Sequence, residues 1–354
     1  MNESLLKKHL QWTPRMAPTD AVKLAYQSAF GCGHLLSARE ICADFVRREM
    51  ESTSVWDVPA CVSIGGGLCR LNLASAQVRN LSPECIADMM ILTNGWVMER
   101  LDNAQRFEES LSLIGRMAEA GEMPFSADEY QTYLSGYRAQ GCPPVSHSEM
   151  YRGAYHPAYR VVRSDFAALL PVMERLGQTG VCIIDGPCGS GKTTLAGMMA
   201  RLYGTKPIPM DDFFLPFDMR TEERFSQPGG NVHHERFKEE ILAHIQVGEP
   251  LAYQRFDCQS GALVPREHAA SSVVIIEGSY SHHPAFAEHL KRLNALRVYV
   301  DVDPVEQLRR IALRNPEMLS MFQTRWIPLE KTYFEAYDIK DRADLVIRSQ
   351  PWNA

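Results

Sequence analysis

Hydrophobic and polar positions along the first 160 or so residues follow a helical rhythm. From Thr19 to Phe30 the apolar residues Val22, Leu24, Ala25 and Ala29 recur on one helix face, with Thr19 or Asp20 as the N-cap and Gly31-Cys32-Gly33 as the stop. Ser37-Ala38-Arg39-Glu40 has the form of a capping box opening a helix that runs towards Met50. Ser82-Pro83 pairs an N-cap with proline at the first helical position, and Asn103 to Ala120 keeps helical spacing as far as Gly121. Ser126-Ala127-Asp128-Glu129 is a second capping box, whose helix ends near Gly141. One stretch breaks the rhythm: Val58 to Leu73 alternates apolar residues on both sides of Gly65-Gly66-Gly67, the pattern of a β-hairpin. Residues 1–163 are therefore expected to form a mainly helical α+β domain.

After the polar stretch Arg163-Ser164-Asp165 the pattern changes. Short apolar runs now alternate with helical segments: Val181 to Ile184, a segment ending in Asp211-Asp212, Val273 to Ile276, the run LRVYVDVD from Leu296, and Asp344 to Ile347. Continuous β-branched runs separated by helices predict an α/β domain over 164–354, with a mainly parallel sheet flanked by helices.

The first of these runs leads into Gly186-Pro187-Cys188-Gly189-Ser190-Gly191-Lys192-Thr193, which fits the phosphate-loop pattern G-x-x-x-x-G-K-[ST] without a mismatch, and Thr194 follows. Glycines there let successive backbone N–H groups turn inward onto phosphate oxygens at the start of a helix. The pattern predicts a bound nucleotide and Mg²⁺, with Lys192 on the β- and γ-phosphates and the Thr193 hydroxyl on the metal. Asp211 and Asp212 lie at a strand's carboxyl end, where open α/β sheets place ligands, and a carboxylate there can accept the proton of an attacking hydroxyl. Adjacent residues of a strand face opposite sides, so only one of the two can serve. Glu277 ends the run Val273 to Ile276 at the position of a second Mg²⁺ group. Helix Pro304 to Arg314 presents Arg310 and Arg314 on one face, either as a solvated basic face or as a lid that neutralises transition-state charge.

Composition narrows the reading. With 354 residues, 45% of them hydrophobic, 23% charged, and a formal net charge of −6, the chain gives no electrostatic reason to expect nucleic acid or a membrane surface. No apolar run approaches 18 residues and the start lacks a leader pattern, so a cytoplasmic protein is expected. Nine cysteines without a C-x-x-C pair argue against a disulfide framework or zinc knuckle. Cys188, among inward-pointing N–H groups, is either a filler or a thiol of lowered pKa. In the first half, His34, His147 and Glu149 are candidates for a metal or phosphorylated-ligand site, against the plainer reading of caps and core histidines. The oligomeric state, a homo-oligomer included, stays open.

The ordered set GPCGSGKTT, DDFF, Phe256-Asp257, VVIIEGSY, LRRIALRN, WIPLEKTYFEAY and DLVI resembles the uridine kinase and phosphoribulokinase family of P-loop kinases, over about residues 178 to 348. The resemblance implies Mg-ATP-dependent phosphorylation of a small-molecule hydroxyl, with Asp211 as general base and Arg310 and Arg314 as lid arginines. The departures fall in the acceptor region. Where uridine kinases have the Asp of N-F-D-H, this chain has His233. By alignment, Phe256 and Gly261 stand where the family has Tyr and a base-reading His, and Arg325 is the arginine available to a short lid. YQSAFGCGHLL, IGGGLCRLNL and VSHSEMYRGAYHPAYR resemble phrases of a bacterial domain to which no activity attaches. A kinase is the leading reading. The alternatives are an ATP-dependent regulator with the loop as nucleotide switch, or a bifunctional chain. A GTPase is disfavoured by the lack of an N-K-x-D segment.

Overall fold

In the computed structural model, which describes residues 1–349, the chain forms two units, Met1–Leu170 and Pro171–Ala354. Within the first, the helix Pro18–Phe30 buries Ala21, Val22, Leu24, Ala25 and Ala29, the face that its spacing predicted. Its N-cap is Ala17, not Thr19 or Asp20. Asp20 lies inside the first turn and accepts the Ala17 N–H at 3.0 Å, the reciprocal half of a capping box that lacks its cap side chain. The box expected at Ser37 does not form either: the helix Arg39–Ser52 starts from Ala38, and Ser37 Oγ sits 3.7 Å from Cys42 Sγ. The box at Ser126 does form, Ser126 Oγ accepting the Glu129 N–H at 3.2 Å and Glu129 accepting the Ser126 N–H at 2.7 Å.

The hairpin is β1 (Cys61–Gly65) and β2 (Leu68–Asn72), and all three of its glycines have positive φ. At Gly66 a Cβ would lie 2.2 Å from the Ser28 carbonyl oxygen, so only glycine fits the turn against the helix. A third strand, β3 (Tyr159–Arg163), pairs antiparallel with β2. Its sequence, YRVVR, carries too much polarity to stand out as a strand.

The second unit is built on a parallel sheet of five strands: β4 (Val181–Asp185), β5 (Ile208–Pro209), β8 (Val274–Glu277), β9 (Leu296–Asp301) and β10 (Leu345–Arg348), in the order β10-β9-β4-β8-β5. β6 (Leu251–Asp257) and β7 (Ala262–His268) form a separate antiparallel hairpin. Cys182, Ile183, Ile184, Ile275 and Ile276 are fully buried, as central strands covered on both faces must be. Truncating one such isoleucine to alanine costs about 2–5 kcal/mol. β4 and β8 lie side by side with Ile184 opposite Glu277, and Glu277 lies opposite Pro209 of β5. The carboxyl ends of three neighbouring strands therefore meet at one edge. Among the described residues no helix is long and apolar enough to cross a membrane.

Candidate active site

At the end of β4 the chain enters the glycine loop, and two buried carboxylates hold that loop from behind. Asp185, fully buried, accepts the Gly186 N–H at 2.7 Å, the His282 N–H at 2.9 Å and the Tyr333 hydroxyl at 2.9 Å. Glu330, also buried, accepts the Cys188 N–H at 2.9 Å and lies 2.6 Å from Ser279 Oγ. Gly186 has φ 144°, and a Cβ there would stand 2.4 Å from the Val300 carbonyl oxygen, so the loop can pass β9 only with glycine. Gly191, at φ 97°, turns the chain into the helix Lys192–Tyr203, whose N-terminal N–H groups and dipole make an anion site. Lys192 Nζ donates to the Pro187 carbonyl at 3.1 Å, and Ser190 is fully buried within the loop.

β8 brings Glu277 to the same place, with Thr193 Oγ1 3.2 and 3.1 Å from its two carboxylate oxygens. Beside it, Gly278 has φ 140° and a missing Cβ that would stand 2.6 Å from Met210 Cβ. That close approach seats the turn Met210–Phe213, directly after β5, against the end of β8. Asp211 and Asp212 thus lie in a 3₁₀ turn, not at a strand end, but they still part company. Asp212 is buried and accepts the Tyr253 hydroxyl of β6 at 2.8 Å. Asp211 opens onto the cleft, where solvent reaches it, while protein encloses its other sides. Loss of hydration raises its pKa, with Lys192 and Arg314 pulling the other way. Burial also raises Glu277, opposed by Lys192 and reinforced by the Asp211 charge. Two carboxylates that repel one another beside a hydroxyl form an all-oxygen donor set that suits a hard cation such as Mg²⁺.

The cleft above these groups has a volume of about 530 Å³. Lys192, Thr193, Thr194, Asp211, Glu277 and Arg314 line it, together with Arg325. Arg310 does not. It donates to Glu306 at 2.7 Å and leans on the Gly189 and Ser190 carbonyls at 3.4 and 3.3 Å, on the outside of the loop. His233 is likewise outside the lining: its ring caps the short helix His234–Phe237, 3.3 Å from the Arg236 N–H and 3.1 Å from Glu235. Phe256 is buried against Phe217, ring centroids 5.6 Å apart, and Gly261 sits at the hairpin turn with φ 71°. The notion of an activated Cys188 is overturned, because burial and the neighbouring Glu330 carboxylate push its thiol up to about 12. Sequence reasoning passed over Asn231, Phe214, Phe225, Trp326 and Glu330, all of which line the cleft. Asn231 opens the N-V-H-H segment, whose third residue, His233, is the one that the family resemblance singles out.

In the first unit the candidate grouping of His34, His147 and Glu149 does not form, and for His147 the plainer reading of a core histidine holds. His147 lies between Asp20 (2.8 Å, Nδ1 to Oδ1) and the Tyr159 hydroxyl (2.6 Å, Nε2), stacked on Tyr151, and Ser148 also donates to Asp20 at 2.7 Å. Arg70 reaches Gln27 at 2.8 Å and lies over the Tyr159 ring. His34 packs edge-on against Tyr26, while Glu149 is exposed in the first turn of its helix. Among the described residues no three His, Cys, Asp or Glu side chains converge as a metal site. Burial pushes His147 down to about 4, so it is a neutral, hydrogen-bonded core histidine at ordinary pH.

Neither a family model nor a curated protein sequence matches the chain. Solved structures similar to part of it include a possible uridine kinase from Bacillus stearothermophilus, 22% identical over 47% of this chain and 87% of that one, with TM-score 0.35. Others are a proposed fructose transport system kinase from a Silicibacter species (20%, 47% and 88%, TM-score 0.37) and a shikimate kinase from Bacteroides thetaiotaomicron (18%, 49% and 89%, TM-score 0.26). The parallel sheet flanked by helices, with the glycine loop between a central strand and a helix, is a P-loop NTPase fold preceded by a mainly helical α+β unit.

Proposed function

We propose that the second unit is an ATP- and Mg²⁺-dependent phosphotransferase that moves the γ-phosphoryl group to a hydroxyl of a small molecule. One observation carries the reading: Asp211 opens on the same cleft as Lys192, the glycine loop and the Thr193–Glu277 pair. A nucleotide switch needs the loop and the metal pair but has no use for an accessible carboxylate of raised pKa beside them.

The loop N–H groups and Lys192 would bind the phosphates, and Thr193 and Glu277 would hold Mg²⁺, which would supply positive charge to offset that of the phosphates. Asp211 accepts the proton of the acceptor hydroxyl as its oxygen attacks phosphorus. Arg314, in the same lining, offsets charge on the transferring group. Asp212, bound to Tyr253, fixes the turn that presents Asp211. The site would work in the cytoplasm on a diffusible acceptor.

The test is ADP formation by the purified chain with Mg-ATP and a panel of nucleosides, sugars, vitamins and amino alcohols, with Lys192→Ala as blank. Lys192-dependent turnover stimulated by one hydroxyl compound supports the reading. Slow hydrolysis indifferent to every compound overturns it in favour of the switch.

A further inference from the structure

The cleft has a second set of polar groups that the phosphoryl-transfer chemistry leaves unused. Asn231 is 5% exposed and lines the cleft, yet neither its amide nitrogen nor its oxygen has a hydrogen-bond partner among the described residues. The Tyr280 hydroxyl, in the same lining, is the polar side chain beside this amide. A buried amide with both ends open costs free energy unless something that enters the cleft satisfies it.

Two arginines of the lining are also uncompensated. Arg220 lies over the Phe217 ring, 4.5 Å from its centroid, and donates to the Leu215 carbonyl at 2.9 Å. Arg325 lies over Phe225 and Trp326, 5.4 and 5.5 Å from their centroids. Among the described residues neither guanidinium has a carboxylate within ion-pair range. The acidic groups of the cleft are engaged elsewhere: Glu277 with Thr193, and Glu330 with the loop N–H of Cys188. The cations that act on Asp211 are Lys192 and Arg314, so Arg220 and Arg325 stand apart from the transfer centre. Between these groups the wall is apolar, with Phe214, Phe225, Met321 and Trp326.

Resting on the kinase reading, we infer that the acceptor is an amphipathic anion: a hydroxyl compound with an apolar body and a carboxylate or phosphate group. Arg220 and Arg325 bind the anionic group, the aromatic wall packs on the body, and Asn231 pairs with a donor or acceptor on it. Guanidinium groups stacked on rings are held in place for such a partner and lose little freedom on binding it.

The experiment compares matched pairs in the ADP assay: hydroxymethylbenzoate against hydroxymethylbenzamide for a carboxylate, and hydroxymethylphenyl phosphate against hydroxymethylphenol for a phosphate. The expected result is turnover of an anionic member only. In Arg220→Gln and Arg325→Gln its KM rises about 10- to 100-fold, with the KM for ATP unchanged within about two-fold. Equal turnover of the neutral members, or a rise in the ATP KM instead, overturns the inference.

A second readout needs no turnover. Cys258 is exposed, lines the cleft and lies 3.8 Å from Arg220. The rate of its alkylation by iodoacetate relative to iodoacetamide, followed by mass spectrometry, should exceed the same ratio at Cys142. In the Arg220→Gln/Arg325→Gln double variant that preference should fall about ten-fold. An unchanged ratio overturns the inference whether or not any compound is phosphorylated. Loss of all Lys192-dependent turnover with the iodoacetate preference intact fails the kinase reading and leaves the anion site standing.

Discussion

Replacing Glu277 with glutamine should move the stability of the protein in opposite directions with and without nucleotide. Glu277 is 8% exposed, and burial, with the Asp211 charge added, raises its pKa. A carboxyl whose folded pKa lies above its unfolded value contributes stability at low pH. That contribution is lost as pH rises through the folded value. Once ionised the group is therefore a liability, and Glu277→Gln without ligand should melt higher than the wild type at high pH, by a margin that vanishes in acid. With Mg·ADP the order reverses. Ligand at about 100 times its Kd stabilises the wild type by about 2.7 kcal/mol. Loss of a group at a metal site weakens binding about 10- to 100-fold. The same ligand concentration then contributes only about 1.4 to 0.4 kcal/mol. At roughly 2–4 °C per kcal/mol, the ligand-induced shift in Tm shrinks from about 5–11 °C to about 1–6 °C. Thermal melts of both proteins, with and without Mg·ADP, across pH make the test. A variant that melts lower than wild type without ligand, or keeps the full shift, refutes the role assigned to Glu277.

Three further outcomes are expected. Asp211→Asn should lower kcat about 10²- to 10⁴-fold and leave nucleotide affinity within a few-fold, whereas Asp212→Asn, whose amide oxygen can still accept from Tyr253, should keep most of the activity; steady-state kinetics of the pair would expose an inverted assignment. Cys188, with its thiol pushed up to about 12, should resist iodoacetamide at mildly alkaline pH while exposed Cys258 reacts, and equal labelling in a peptide map would contradict the burial argument. His147, pushed from 6.5 to about 4, contributes stability that is complete above the unfolded value and drains away as pH falls towards 4. Protection factors, corrected for the intrinsic pH dependence of amide exchange, should therefore fall in the segments around Asp20 and Tyr159 across that window, and protection that stays constant there would rule the histidine out as the cause.

The sequence carried the second unit well because its signals are local. An apolar β-branched run, a glycine loop and a helix-forming tail are contiguous, so the loop between β4 and its helix is legible from Val181 to Tyr203. Asp211 and Glu277 were legible for the same reason, each at the end of a short apolar segment. What could not be read was long-range. Glu330 meets the loop at Cys188 across 142 positions of chain, and no local pattern announces that a carboxylate in a helix will hold a loop N–H. Arg310 and Arg314 share a helix face, but Glu306, one turn before Arg310, draws it out of the cleft. In the first unit, β3 was hidden because its Tyr159 and Arg160 carry polar ends. Ser37 failed as a cap because its hydroxyl found Cys42 instead. His147 looked like a ligand in sequence and is a satisfied core residue in space, since Asp20 and Tyr159 take both ring nitrogens.

Transfer to a hydroxyl at the cleft that Lys192 and Asp211 share is measured most directly by the fate of the γ-phosphoryl group, followed by phosphorus NMR with Mg-ATP and the acceptor panel. A new phosphate monoester on one compound is expected, absent with Lys192→Ala and reduced at least about a hundred-fold with Asp211→Asn. Inorganic phosphate as the sole product, formed at the same rate whatever hydroxyl compound is present, would contradict it.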